Sequence, residues 1–306
     1  MSILKNILSF IKNNKYLILL SFALTLIFII LLLPYNDINT YISSKINTYT
    51  NGKIQFKAKK FYILPSLSLG FNDNLISYKK TEAQIKKITI KPLWLDSLLL
   101  NFGINVTAYS IFGGDITFSL KQIKSKKHNL AFNANLQNIS LDKLPLNSIK
   151  LGGKVSAIFQ TLIDVNLFNT PNINIKIDSN KKIQIFNSKI PSNFGPIQIP
   201  STSFSKLKAM ITTKNEVVNI KTLELGSPTD NIYIKIKGNI NLKIKKERRT
   251  KILSVKSYKL SIYIKAQQVP SQLKSLFSLI NSYQLGNTYS FHIKGDGLMS
   301  IPEITK

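Results

Sequence analysis

The chain has 306 residues, a formal net charge of +28 and no cysteine. The lack of cysteine excludes disulfides, thiol catalysis and thiolate metal sites, and suits a domain exported to an oxidising compartment. Arg248 and Arg249 are the only arginines, and Lys is spread along nearly every strand-like segment. That pattern reads as solvated faces and excludes the Arg-rich, aromatic-interleaved surface of a nucleic-acid binder.

Residues 1–15 (MSILKNILSFIKNNK) place Ile3, Leu4, Ile7, Leu8 and Ile11 at helical spacing opposite Lys, predicting a short interfacial helix. Tyr16–Leu33 follows without a charge, built of Leu, Ile and Phe apart from Tyr16, Ser21, Ala23 and Thr25. At about 1.5 Å per residue this run is roughly 27 Å long, close to the apolar thickness of a bilayer. Its Leu, Ile and Phe residues together favour insertion by roughly 4 to 8 kcal/mol. The run ends in LLLPYND with no small-residue cleavage pattern, so a retained anchor is expected in preference to a signal peptide. Tyr16, Leu20, Leu24, Phe28 and Leu32, four residues apart, are the candidate anchor positions. Lys5, Lys12 and Lys15 precede the run with no acid among them, which places residues 1–15 in the cytoplasm and the bulk across the membrane.

Beyond Pro34, Asn36 or Asp37 can cap a helix carrying Ile38, Tyr41, Ile42, Ile46 and Tyr49, stopped by Asn51-Gly52. This helix is either a stalk on the membrane surface or the first cover of a following sheet. From Gly52 the apolar period changes from 3.6 to 2. Ile54/Phe56/Ala58 opens the pattern, and Ile116/Phe118/Leu120, Leu130/Phe132/Ala134 and Val155/Ala157/Phe159 continue it, as do Ile232/Ile234/Ile236, Ile240/Leu242/Ile244 and Leu260/Ile262/Ile264. One apolar and one Lys/Asn/Ser/Thr face is the mark of antiparallel strands with a solvated side. Gly113-Gly114, Gly152-Gly153, Gly238-Asn239 and Asp296-Gly297 are read as the punctuation between strands. Pro92–Leu100 and Pro270–Tyr283 are expected helices, the lone Trp94 a packing residue, and 164–172 and 186–206 loops. The expected fold is mainly β. A single N-terminal transmembrane helix precedes an elongated, curved antiparallel sheet domain with a few short helices. The divisions are 1–15 cytoplasmic, 16–34 transmembrane, 35–51 amphipathic juxtamembrane helix and 52–306 β domain.

No chemistry-bearing motif emerges. The acids are scattered, Asp115 and Asp296 beside Gly read as turn residues, and His128 and His292 lack metal spacing. No GxSxG, phosphate loop or dinucleotide fingerprint is present. The expectation is no enzyme, with no catalytic residue, cofactor or metal.

The arrangement of parts is more informative. The anchor ending in LLLPYNDI, the unit Ile88–Leu120 with Gly113-Gly114, LGGKVSA at Leu151–Ala157, IKGNINL at Ile236–Leu242 and the closing IKGDGLMSIPEI at Ile293–Ile304 resemble the type II secretion system protein N family in its longer Gram-negative form. The resemblance implies a single-pass inner-membrane protein with a periplasmic β domain, contacting other type II secretion components and inner-membrane lipids. The family supplies no catalytic residue. The Ile88–Leu120 unit also resembles AsmA-like envelope proteins, whose sheets are associated with lipid handling. Under that alternative the apolar strand faces hold acyl chains, with Phe118, Phe132 and Phe159 as candidate lipid-groove residues.

Overall fold

The computed structural model describes residues 14–32, 34–64, 66–78, 81–93, 102–123, 129–145, 149–164, 169–179, 181–190, 197–247, 250–297 and 302–306. The expected interfacial helix within 1–15, Trp94 with the rest of the expected helix up to Leu100, and His128 fall outside them. Helix α1 (Lys15–Leu32) is followed after Pro34 by α2 (Tyr35–Tyr49). The meander then runs through β1 (Ile54–Ile63), β2 (Leu69–Tyr78), β3 (Thr81–Pro92), β4 (Gly103–Ile111), β5 (Gly114–Gln122) and β6 (Asn129–Ser140). Next come a short β7 (Leu151–Gly152), β8 (Lys154–Asp164) and β9 (Asn172–Asp178). Four three-residue strands follow: β10 (Ile183–Ile185), β11 (Ser188–Ile190), β12 (Ile197–Ile199) and β13 (Thr202–Phe204). The long strands resume with β14 (Leu207–Lys214), β15 (Val217–Leu225), β16 (Ile232–Glu247) and β17 (Thr250–Ala266). Helix α3 (Lys274–Ser278), β18 (Gln284–Leu285), β19 (Thr288–Gly295) and β20 (Glu303–Thr305) close the chain.

The protein is therefore mainly β, with few helices. One 15-stranded antiparallel sheet has the order β1-β2-β3-β4-β5-β6-β8-β9-β14-β15-β16-β17-β19-β18, and β20 pairs with β19. At about 4.8 Å per strand step, this path extends on the order of 60 Å. The sheet is a meander except where β7, β10 and β13 leave it as a small sheet of their own and β11 pairs with β12. The side sheet is tied to the ends of the main strands. Leu141 N–H donates to Gly153 O (2.9 Å) and Ser179 N–H to Leu207 O (2.9 Å).

Helix α2 packs on one end of the sheet. Tyr35, Ile38, Ile42 and Ile46 lie against Phe56, Phe61, Phe71, Ile85, Ile88, Val106 and Ala108, a buried cluster drawn from the first four strands. The helix runs antiparallel to β1: the Tyr35 and Phe61 rings are 5.8 Å apart, Asn39 Nδ2 donates to Ala58 O (2.8 Å), and Thr50 Oγ1 accepts from Ile54 N–H (3.1 Å). Of the two sequence readings, the cover of the sheet is the observed one. Its capping differs from expectation. Pro34 occupies the N-cap position, so Asn36 and Asp37 lie in the first turn, where the Asp37 carboxylate still faces the positive end of the helix dipole.

The alternation also changes phase where α2 docks. Phe56 and Ala58 give way to Phe61 on β1, Asn74 to Phe71 on β2 and Ile85 to Ile88 on β3, while Phe56, Phe61, Phe71, Ile85 and Ile88 all stay in the same cluster. Asp73 adopts φ 50° at the phase change, and the buried Asn74 amide donates to Phe71 O (3.0 Å) and Ile85 O (3.2 Å). One side chain thereby satisfies carbonyls on two strands that the change of phase would otherwise leave short of partners.

Five expectations need correction. Gly238-Asn239 is not a turn. Ile232–Leu242 belongs to one 16-residue strand, and Gly238 (φ 147°) lies within it because an added Cβ would sit 2.2 Å from Lys259 O. The β4–β5 turn centres on Phe112 (φ 49°) and Gly113 (φ 77°), both left-handed as a type I′ turn requires, with Gly114 opening β5. Segment 186–206 holds short strands as well as loops. Pro270–Tyr283 is broken into a 3-10 turn at Ser271–Leu273, the single turn α3 and a second 3-10 turn at Asn281–Tyr283. Pro92 is the last residue of β3, and the rest of the helix expected from it lies outside the described residues.

Gly238→Ala combines a forbidden approach with strain, and is expected to destabilise by about 2–4 kcal/mol. Gly286 (φ 62°) has open space around it, so Gly286→Ala should cost only about 1 kcal/mol. Thermal melting of both variants checks the ranking. Equal midpoints would mean that the close backbone approach at Gly238 is not a constraint.

Candidate functional site: an apolar sheet face

The registers align the apolar positions of successive strands into rows. One row runs Ile63–Leu69–Ile90–Val106–Phe118–Ala134–Phe159 and continues Ile175–Ile211–Ile220–Gly238–Leu260–Ile293–Ile304, each residue directly opposite the next. The adjacent row runs Phe61–Phe71–Ile88–Ala108–Ile116–Leu136–Ala157, then Ile177–Ala209–Leu223–Ile236–Ile262–Phe291. Neither row contains a polar side chain from one edge of the sheet to the other. A slip of one residue at any strand would turn its apolar set to the opposite face and break both rows.

Among the described residues, helical segments cover this face at its two ends. Helix α2 covers β1–β4. At the far end Val269, Phe277, Ile280 and Tyr283 pack against Ala266, Tyr289 and Phe291, with Phe277 edge-on to Tyr289 at 5.1 Å. Between β5 and β16 large apolar side chains such as Phe118, Phe132, Phe159, Ile175, Leu223 and Ile236 are half-buried, shielded by their neighbours along and across strands. Within the two rows full burial there falls on small residues, Ala134 and Ala209, while Ile139, Leu141, Ile183, Phe204 and Ile232 are buried outside the rows. The three residues singled out for a lipid groove come together here. Phe118 and Phe159 both lie opposite Ala134, and Phe132 stands one position along, 6.0 Å from Phe118 and 5.7 Å from Phe159, ring centre to ring centre. The small Ala134 side chain leaves the room that the rings share.

The opposite face carries a polar row: Lys91–Asn105–Ser119–Asn133–Gln160–Asn174–Thr212–Asn219–Asn239–Lys259–Lys294–Glu303. Its amides bond across strands, Asn174 Nδ2 to Gln160 Oε1 at 3.1 Å and Asn133 Nδ2 to Ser119 Oγ at 3.4 Å. On this face Glu224 lies between lysines. Lys235 Nζ is 3.0 Å from Oε1 and Lys206 Nζ 3.6 Å from Oε2. The hydrogen bond from Lys235, reinforced by both positive charges, holds the Glu224 carboxyl below its ordinary range against the opposing effect of burial. Burial, with the Glu224 charge beside it, raises the Tyr233 phenol.

His292 lies on β19 as expected, its Nδ1 2.9 Å from Ser261 Oγ on the exposed polar face. Asp115 fastens the β4–β5 turn by accepting from Ser110 N–H (2.9 Å). Among the described residues no group of three or more His, Asp or Glu is arranged to hold a metal.

The five anchor positions all lie on α1, where Tyr16, Leu20, Leu24, Phe28 and Leu32 form an exposed stripe. Among the described residues no helix is long and apolar enough to cross a membrane, and half of α1's side chains lie outside that set. No protein-family model matches the chain, and neither a curated protein nor a solved structure does.

The Glu224 site has a pH signature. A carboxyl whose folded pKa is depressed contributes stability that is present above its unfolded value near 4.5 and lost as pH falls through the folded value. Glu224→Gln should therefore flatten the dependence of melting temperature on pH below about 4.5 and leave its neutral-pH dependence unchanged. An acid limb identical to that of the parent would remove Glu224 from this role.

Proposed function

We propose that this chain is a membrane-anchored lipid-binding module whose ligands are acyl chains held along the apolar sheet face. The observation that carries the reading is the pair of unbroken apolar rows from β1 to β19, covered among the described residues only at their ends. A soluble sheet with one solvated side normally buries its other side under a second layer. Here the middle strands keep apolar side chains half-buried, with no second layer packed on them among the described residues. Each methylene moved from water onto such a face is favoured by about 0.8 kcal/mol. Strand twist of roughly 20° per step accumulates over this path and coils the sheet. The ends closed by α2 and by the α3 region leave the β5–β16 stretch, roughly 30 Å across at about 4.8 Å per step, as the length that holds ligand.

The anchor belongs to the same reading. The uncharged run Tyr16–Leu33 and the lysines before it support a single crossing of the inner membrane, the N-terminus cytoplasmic and the sheet periplasmic. A second reading is an accessory of type II secretion acting through protein contacts, in line with the resemblance in order of parts. The observation favouring it is the edge strand β1, which among the described residues has a strand partner on one side only and, beyond the bonds from Asn39 and Thr50 of α2, is open to strand addition. Gene deletion followed by assay of secreted hydrolases separates it, since unchanged secretion removes this second reading.

For the lipid reading, a charge placed on the uncovered rows should repel acyl chains at a cost on the order of 2 kcal/mol or more. Ile175→Asp is expected to reduce crosslinking of the full chain to a photoactivatable acyl phospholipid in vesicles by roughly tenfold or more. Gln160→Asp, on the polar face, should leave it unchanged. Equal crosslinking by both variants would sink the proposal.

A further inference from the structure

We propose that the strand ends beside the exit of α1, marked by Leu67 and Phe102, form a second membrane contact that seats the sheet on the lipid surface. This rests on the membrane reading of α1 given above. Because α2 runs antiparallel to β1, with Tyr35 at Phe61 and Thr50 at Ile54, the α1–α2 junction lies at the Ile63 end of β1. The β1–β2 turn stands at that same end. It is held by Leu64 N–H to Ser68 O and Leu67 N–H to Leu64 O, both 2.8 Å.

At the tip of this turn Leu67 is 43% exposed with φ 53°. A left-handed leucine is strained relative to glycine or asparagine, and its exposed side chain gains nothing in water. The cost of exposure is removed, and the strain offset, if the side chain enters the headgroup–acyl boundary. Two strands across, the ends of β3 and β4 reach the same side. Leu93 N–H donates to Gly103 O (2.9 Å) and Phe102, locked to β5 by Gln122 N–H to its carbonyl (2.9 Å), is 52% exposed. Two strand steps separate the two side chains by about 10 Å, too short a distance for sheet twist to carry them to different sides. Lys91, exposed at the end of β3, supplies a cation for anionic headgroups at the same level.

The occupant is therefore lipid, continuous with what surrounds α1, and a turn dipping roughly 5–10 Å into the boundary would suffice. It would fix the covered end of the sheet against the bilayer, so that the apolar rows begin at the lipid surface.

The chain has no cysteine, so single labels can be placed without altering the background. Full-length Leu67→Cys, Phe102→Cys, Tyr78→Cys and Leu24→Cys variants carry a bimane fluorophore in vesicles of phosphatidylethanolamine and phosphatidylglycerol with brominated acyl chains. Tyr78 is exposed at the opposite end of β2 and serves as the reference. Quenching at 67 and 102 several-fold stronger than at 78 is the expected result. Quenching at 24 with none above the reference at 67 and 102 overturns the second contact and leaves the anchor standing. No quenching at 24 overturns both. A spectral shift at 67 and 102 that follows protein concentration and ignores brominated lipid assigns the patch to another copy of the chain, and also overturns the proposal.

Discussion

Register is the constraint on which this structure depends. Side chains on a strand alternate with a period of two, so each hairpin must keep its pairing in phase with the last for one face to stay apolar. Here the phase is kept from β1 to β20 across thirteen successive pairings. The bulges do not break it. Shifts at Ala108/Ile111, Leu136/Ile139, Met210/Ile211, Ile220/Leu223 and Asn241/Leu242 each move the polar and apolar sets together. On β1–β3 the phase change is shared by three neighbouring strands and tied off by Asn74.

That constraint makes the architecture an extended surface instead of a compact core. At the two ends helical segments supply a second layer over the buried clusters, and Ile139, Ile183, Phe204 and Ile232 are buried elsewhere. In between, stability rests on backbone ladders and on contacts among neighbours within one face, such as the ring cluster around Ala134. Polar ladders on the other side add cross-strand bonds without burying charge, and the lysines there remain solvated. A sheet built this way can be lengthened by adding hairpins, because each strand touches mainly its neighbours.

Much of this was legible in the residues. The period-two pattern marked nearly every long strand, and the apolar spacing of Ile38, Ile42 and Ile46 marked α2 and its buried face. Phe118, Phe132 and Phe159 could be grouped by parity alone. Their adjacency could not, because it depends on which residue faces which across two pairings, and that is set by turn length and bulges at Phe112-Gly113 and Leu136/Ile139. The continuation of the rows through Ile175, Ile211, Leu223 and Ile236 was hidden for the same reason. Gly238 misled because glycine at a turn and glycine at a close backbone approach look identical in one dimension. The three-residue strands between 183 and 204 carry too few alternations to register as a pattern, and the apolar spacing of Leu273, Phe277 and Ile280 concealed a helix interrupted by 3-10 turns.

The central claim is that the exposed rows exist to hold acyl chains. The most direct measurement is native mass spectrometry of the full-length chain, extracted from its membrane in a mild detergent and released from the micelle in the gas phase. The account predicts a species heavier than the chain by the mass of a phospholipid, which dissociates on activation and is lost in the Ile175→Asp variant. A spectrum containing only the bare chain under these conditions would contradict it.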